Sequence, residues 1–166
     1  MIRLCQILDV NGFLDKFKYV GKGRNGTNLR TLRYPPVKEE VKKDQVRCGE
    51  HTDFGCLTLV FQDNIGLEVM NVDGEYVPAS PIPDTIVVNI ADTLQRWSAD
   101  KLKSTRHRVV LPDSREERQR VHRSIAYFFH CDSDVEMKCL DGSDKYEPIS
   151  AREYLLQQIG TTYLTG

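Results

Sequence analysis

The feature that most constrains this chain is a succession of short apolar stretches, rich in β-branched residues and cut apart by turn signals. Phe54–Phe61 reads FGCLTLVF, Gly66–Met70 follows, and Asp73-Gly74 is a hairpin signal before Tyr76-Val77. Pro81 and Pro83 precede Thr85–Ile90, a nearly continuous apolar run of the kind found in buried strands. Leu29–Tyr34 (stopped by Pro35-Pro36), Arg108–Leu111, Ser124–His130 and Val135–Leu140 complete a set of about eight strands. Helix signals are few. Asp92–Ala99 reads as one short helix with Asp92 as its N-cap, and Ser150 with Glu153 has capping-box spacing before a helix through Leu155, Leu156 and Ile159. Many short strands with little helix predict a mainly β fold, a jelly roll (double-stranded β-helix) with a few flanking helices. The expected organisation is an N-terminal remnant over 1–28 (a helix end at Ile2–Leu8 and a glycine-rich loop), the jelly roll over 29–140, and a C-terminal helix over 141–166.

Composition narrows the function classes. Lys and Arg number 23 against 24 Asp and Glu, a formal net charge of −1, so the chain lacks the cationic surplus that nucleic-acid binding needs. No apolar run approaches the ~20 residues of a membrane span. Met1–Cys5 carries no secretory signal, and Cys5, Cys48, Cys56, Cys131 and Cys139 are odd in number, with no C-x-x-C pair. Buried thiols and a cytoplasmic location are expected, with no obligatory protein partner evident. The glycine-rich segment Gly21–Gly26 lacks the Gly-Lys-Ser/Thr ending of a phosphate loop and reads as a loop.

The chemistry is carried by Cys48-Gly49-Glu50-His51-Thr52-Asp53-Phe54-Gly55. In a strand, residues two apart face the same side, so His51 and Asp53 can offer an imidazole and a carboxylate to one point. A stable site needs a third ligand, and His107 and His130 both have a strand setting. Two imidazoles and one carboxylate on one face leave positions open for co-substrate and dioxygen, as in non-haem Fe(II) oxygenases.

The surroundings of this pair resemble the iron and 2-oxoglutarate-dependent dioxygenases of the isopenicillin N synthase-like family. The matching segments run in order: Leu32-Arg33-Tyr34-Pro35-Pro36, Gly49–Thr58, Val87–Asp92 with Gln95-Arg96-Trp97-Ser98, Lys103–Val109, and Ser124–Phe129. The resemblance implies a distorted jelly roll with His51, Asp53 and His107 as the Fe(II) ligands. It implies 2-oxoglutarate as co-substrate, held in part by Tyr34 and Ser124, and dioxygen as oxidant. The implied reaction hydroxylates or desaturates a small organic substrate, with ascorbate as a candidate aid that keeps the iron reduced.

Three departures from the family pattern carry consequences. The family grips the distal carboxylate of 2-oxoglutarate with an Arg-x-Ser motif, whose guanidinium makes paired hydrogen bonds. Here Arg120-Val121-His122-Arg123-Ser124 puts His122 in the arginine's place. The expected solution is Arg123 re-aimed by a β-bulge; the alternatives are Arg120 reaching in, or a site that does not use 2-oxoglutarate. The second departure is in the turns, where Asp84 and Ala91 stand at positions that tend to be glycine. The third is length. Family members carry a substantial N-terminal region ahead of the point where this chain begins, so a bare apolar sheet face or an open edge is expected. Rival readings are therefore an oxidase of the same fold that consumes no 2-oxoglutarate and an inactive, N-terminally truncated fragment. Trp97 is expected to pack a helix onto the sheet, His130 to sit at a strand end, and Asp113–Arg120 to be a solvated segment with helical character.

Overall fold

The computed structural model of the protein describes residues 12–37, 40–42 and 45–164; the helix end predicted at Ile2–Leu8 lies outside them, as does Cys5. The strands are β1 (Asn28–Tyr34), β2 (Val46–His51), β3 (Leu57–Gln62), β4 (Leu67–Met70), β5 (Tyr76–Pro78), β6 (Val87–Ile90), β7 (His107–Val110), β8 (His122–Phe129), β9 (Glu136–Met137) and β10 (Ile149–Ser150). The helices are α1 (Asp92–Trp97), α2 (Arg115–Arg118) and α3 (Ala151–Leu164), with a 3₁₀ turn at Phe13–Phe17. Two antiparallel four-stranded sheets, β1-β8-β3-β6 and β2-β7-β4-β5, form the sandwich, and β9 pairs with β10 beside α3. This is the expected mainly β architecture.

Most strands fall within a residue or two of their predicted positions, and the exceptions have local causes. The run FGCLTLVF begins as a strand only at Leu57, because the N–H groups of Ala91 and Thr93 are bonded to the carbonyls of Cys56 and Gly55, which bends the chain there. Val135–Leu140 shrinks to the two residues of β9: Val135 closes a turn onto Asp132, and the N–H of Leu140 is taken by the Trp97 carbonyl. Asp92 is not the N-cap but the first residue of α1. Ala91 occupies the cap with φ −116 and ψ 171, an extended geometry that alanine adopts without strain. Asp84, at a position that tends to be glycine, takes a left-handed backbone with φ 60, which aspartate tolerates. Ser150 accepts the N–H of Glu153 at 3.2 Å and so opens α3 as its spacing predicts.

The buried apolar cluster lies outside the sandwich rather than between its sheets. Phe13, Cys56, Leu57, Leu94, Trp97, Cys131, Met137 and Tyr154 pack where α1, α3 and the 3₁₀ turn cover one end of the larger sheet. The Trp97 ring lies 5.2 Å from that of Phe13, and Phe17 stacks on Phe129 at 4.7 Å. The rest of that outer face is bare. Register and strand alternation place Leu29, Ile125, Phe61 and Val88 on it, and these side chains are exposed, Leu29 by 62% and Val88 by 60%. The apolar face expected from the chain's length is therefore present.

The inner face of the larger sheet is polar for a sandwich. Alternation places Tyr34 on β1, His122, Ser124 and Ala126 on β8, Val60 on β3, and Val87 and Asn89 on β6 toward the opposing sheet. A cavity of about 210 Å³ between the sheets is lined by Val60, Val87 and Asn89 from one side and by Leu67, Val69 and His107 from the other. The space that would hold the core of an ordinary sandwich is instead available to a ligand.

The tightest point in this construction is Gly55. A Cβ there would stand 2.7 Å from the Phe129 carbonyl oxygen, which is backbone and cannot rotate away. Gly55→Ala is expected to cost about 2 kcal/mol by overpacking, read as a lowered urea midpoint; an unchanged midpoint would show that the loop has slack.

Candidate metal centre

Pairing of β2 with β7 sets His51 directly opposite His107. The bulges of this fold occur here: β2 shifts register between Val46 and Cys48 and again between Cys48 and His51. The two imidazole centroids come within 4.3 Å. His51 stands at the mouth with 42% of its side chain exposed, whereas His107, at 14%, is deeper.

Asp53 reaches the same point by a different route from the alternation that suggested it. It lies two residues past the end of β2, in the loop toward β3. The N–H of Asp92 donates to its carbonyl at 2.9 Å, and the Asn89 side-chain amide donates to Oδ2 at 3.0 Å. The Thr52 hydroxyl donates to the Asp92 carboxylate at 3.0 Å, which ties the loop to the start of α1. Oδ1 is thereby left facing Nε2 of His51 at 3.9 Å and Nε2 of His107 at 3.8 Å, too far for a direct hydrogen bond.

The opposite edge of each imidazole is already occupied. Nδ1 of His51 donates to the Gly49 carbonyl at 2.8 Å, and Nδ1 of His107 donates to that of Thr105 at 3.0 Å. A histidine held through Nδ1 by a carbonyl presents Nε2 as its ligand atom, the usual arrangement around a bound metal. One ligand atom from each of the three residues lies within 4.8 Å of the others. Asp53 is only 7% exposed, and a carboxylate so buried is costly unless a cation shares it. The contact with the Cys48 thiol, 3.9 Å from Nδ1, and the Gly49 carbonyl hold the imidazolium of His51 up to about 9. A metal at Nε2 would therefore compete with a proton. Two imidazoles and one carboxylate on one side of a point fit Fe(II).

The structure separates the remaining predicted residues. Tyr34 and Ser124 share the inner face that the cavity opens on, and Tyr34 is paired across the strands with His122, ring centroids 5.4 Å apart. Arg123 does not join them. The expected bulge is absent: β8 keeps unbroken register with β1 through Arg33↔Arg123 and with β3 through Gln62↔Ser124. Its side chain therefore projects to the outer face, where it pairs with Asp63 at 3.2 Å. Arg120 is turned to solvent and bonded to Glu116 at 2.7 Å. His130 packs against Gly26 and Gly55 and stays outside the triad. Asn89 and the carbonyls of Gly49 and Thr105 are orienting groups that pattern reading did not assign. Asn89 lies in a matched segment, but its role depends on a loop that folds back from another sheet.

Comparison with known proteins identifies the family. The model of the 2OG-Fe(II) oxygenase superfamily matches residues 25–132. A 2-oxoglutarate-Fe(II) type oxidoreductase of Metarhizium majus is 38% identical over 151 residues, covering 84% of this chain and 43% of the relative. A homoarginine-6-hydroxylase of Oryza sativa is 38% identical over 163 residues, covering 91% and 48%. Among solved structures, a full-length Neurospora crassa protein in complex with alpha-KG superposes with a TM-score of 0.85 at 39% identity, covering 96% of this chain and 50% of that one. The chain spans about half the length of the curated relatives it matches. The chain belongs to the 2OG-Fe(II) oxygenase superfamily.

Because Asn89 fixes the plane of the Asp53 carboxylate, Asn89→Ala is expected to weaken Mn(II) binding about 10- to 100-fold, measured by isothermal titration. Unchanged affinity would mean that the loop alone positions the ligand.

Proposed function

We propose that this member of the 2OG-Fe(II) oxygenase superfamily is the catalytic portion of a dioxygenase that hydroxylates or desaturates a small organic substrate. The observation that carries the reading is the His51–Asp53–His107 cluster, with both Nδ1 atoms engaged by carbonyls and three ligand atoms turned to one point beside an internal cavity. Fe(II) bound there would supply the redox chemistry, in which 2-oxoglutarate and dioxygen become succinate and carbon dioxide while one oxygen atom oxidises the substrate.

The protein's own groups do the rest. Asp53 contributes the one negative ligand, and Asn89 keeps its Oδ1 aimed at the histidines. His107 closes the deep side of the site and His51 the open side, so co-substrate and substrate approach past His51 and along the cavity. Val60, Leu67, Val69, Ala79 and Val87 make the cavity wall mainly apolar, which excludes water and suits the carbon skeleton of a small molecule. Tyr34 and Ser124 supply hydroxyls on the face toward which 2-oxoglutarate would extend.

Turnover tests the reading. Fe(II)-loaded protein in air is expected to convert 2-oxoglutarate to succinate, slowly without substrate, and Asp53→Ala is expected to reduce that rate at least ~100-fold, since removing a ligand removes the metal with it. Stoichiometric iron without succinate in either protein would overturn it.

A further inference from the structure

The distal carboxylate of a bound keto diacid needs a cation between the sheets, and the obvious suppliers on β8 and just ahead of it fail. Arg123 faces outward and Arg120 is in solvent. His122 points inward and is 1% exposed, but its Nδ1 is committed to the Ile65 carbonyl at 2.9 Å. Burial also pushes its pKa down, so it stands as a neutral imidazole.

Among the described residues, one cation there has its head group shielded from solvent. Arg47, on β2 of the smaller sheet, has Nε and both terminal nitrogens shielded from solvent and without a hydrogen-bond partner among the described residues. An unpaired buried guanidinium is among the costliest groups a fold can carry. It lies over the Tyr34 ring, 5.8 Å from the centroid, where Tyr34 and His122 meet on the inner face of the larger sheet. Its charge also opposes protonation of His122. Arg47 precedes His51 by four residues, ~13 Å along an extended strand and less across the register shift between Cys48 and His51. A five-carbon keto diacid is shorter than that length of strand, so the reach of the arginine side chain has to close the rest of the distance between its guanidinium and the metal site.

We propose that Arg47, reaching across from the smaller sheet, binds the distal carboxylate of 2-oxoglutarate in place of the arginine that His122 has replaced on β8. The smaller imidazole leaves room for the guanidinium, and Tyr34 backs its face. The inference rests on the dioxygenase reading, and its test keeps the two separable.

Mn(II)-loaded protein is titrated with 2-oxoglutarate and with pyruvate, which keeps the chelating keto acid but lacks the distal carboxylate. Arg47→Gln is expected to weaken 2-oxoglutarate about 100-fold, the usual scale for truncating one partner of a buried charge pair, and to leave pyruvate within twofold. Arg123→Ala is expected to change neither. Adding His122→Arg to Arg47→Gln is expected to restore most of the 2-oxoglutarate affinity, which a variant that merely folds poorly would not do. Equal 2-oxoglutarate binding by wild type and Arg47→Gln overturns the assignment and leaves the dioxygenase reading intact, as does equal weakening of both acids. A metal-loaded wild type that binds neither acid overturns both.

Discussion

One buried carboxylate governs the arrangement of this protein. Asp53 sits in low-dielectric surroundings where an isolated negative charge is expensive, and the fold is built to hold it still and to aim two imidazoles at it. The loop that carries it is clamped by the Asp92 N–H on its carbonyl and by the Asn89 amide on Oδ2. The β2–β7 pairing brings His51 and His107 to its other oxygen from the opposing sheet. Remove that carboxylate, and the bulged end of β2 and the Nδ1-anchored imidazoles lose the centre they converge on.

The second constraint is where the apolar mass went. A sandwich normally fills the space between its sheets, whereas here the buried cluster lies beneath α1 and α3 on the outside of the larger sheet. The interior is left to a cavity, a triad and an arginine that is unpaired among the described residues. Stability and chemistry are thus carried on opposite faces of the same four strands. The uncovered part of the outer face, around Leu29, Ile125 and Val88, stays exposed to solvent.

How much of this was legible in the sequence depended on the range of the interaction. Short-range signals read well: the Asp73-Gly74 hairpin and the Ser150 cap both appear where local chemistry placed them. The His51–Asp53 pair was found through alternation along a strand, yet Asp53 is held by a loop and by contacts from α1 and β6. Alternation also placed Arg123 on the wrong face for the site, and the bulge invoked to rescue it formed in β2 instead. The register of an interior strand flanked on both sides, as β8 is, leaves little room for an inserted residue. Arg47 could not be singled out by pattern. Its significance lies in what surrounds it, namely the Tyr34 ring and a neutral His122 from strands of the other sheet, and in the absence of any acidic partner among the described residues.

The central claim is that His51, Asp53 and His107 hold an Fe(II) ion that a 2-oxo acid chelates. The most direct measurement is an anaerobic titration of the Fe(II)-loaded protein with 2-oxoglutarate, following the visible metal-to-ligand charge-transfer band of the chelate. The account predicts a saturable band at one equivalent of iron in wild-type protein and none in Asp53→Ala. Stoichiometric bound iron that develops no band at saturating 2-oxoglutarate would contradict it.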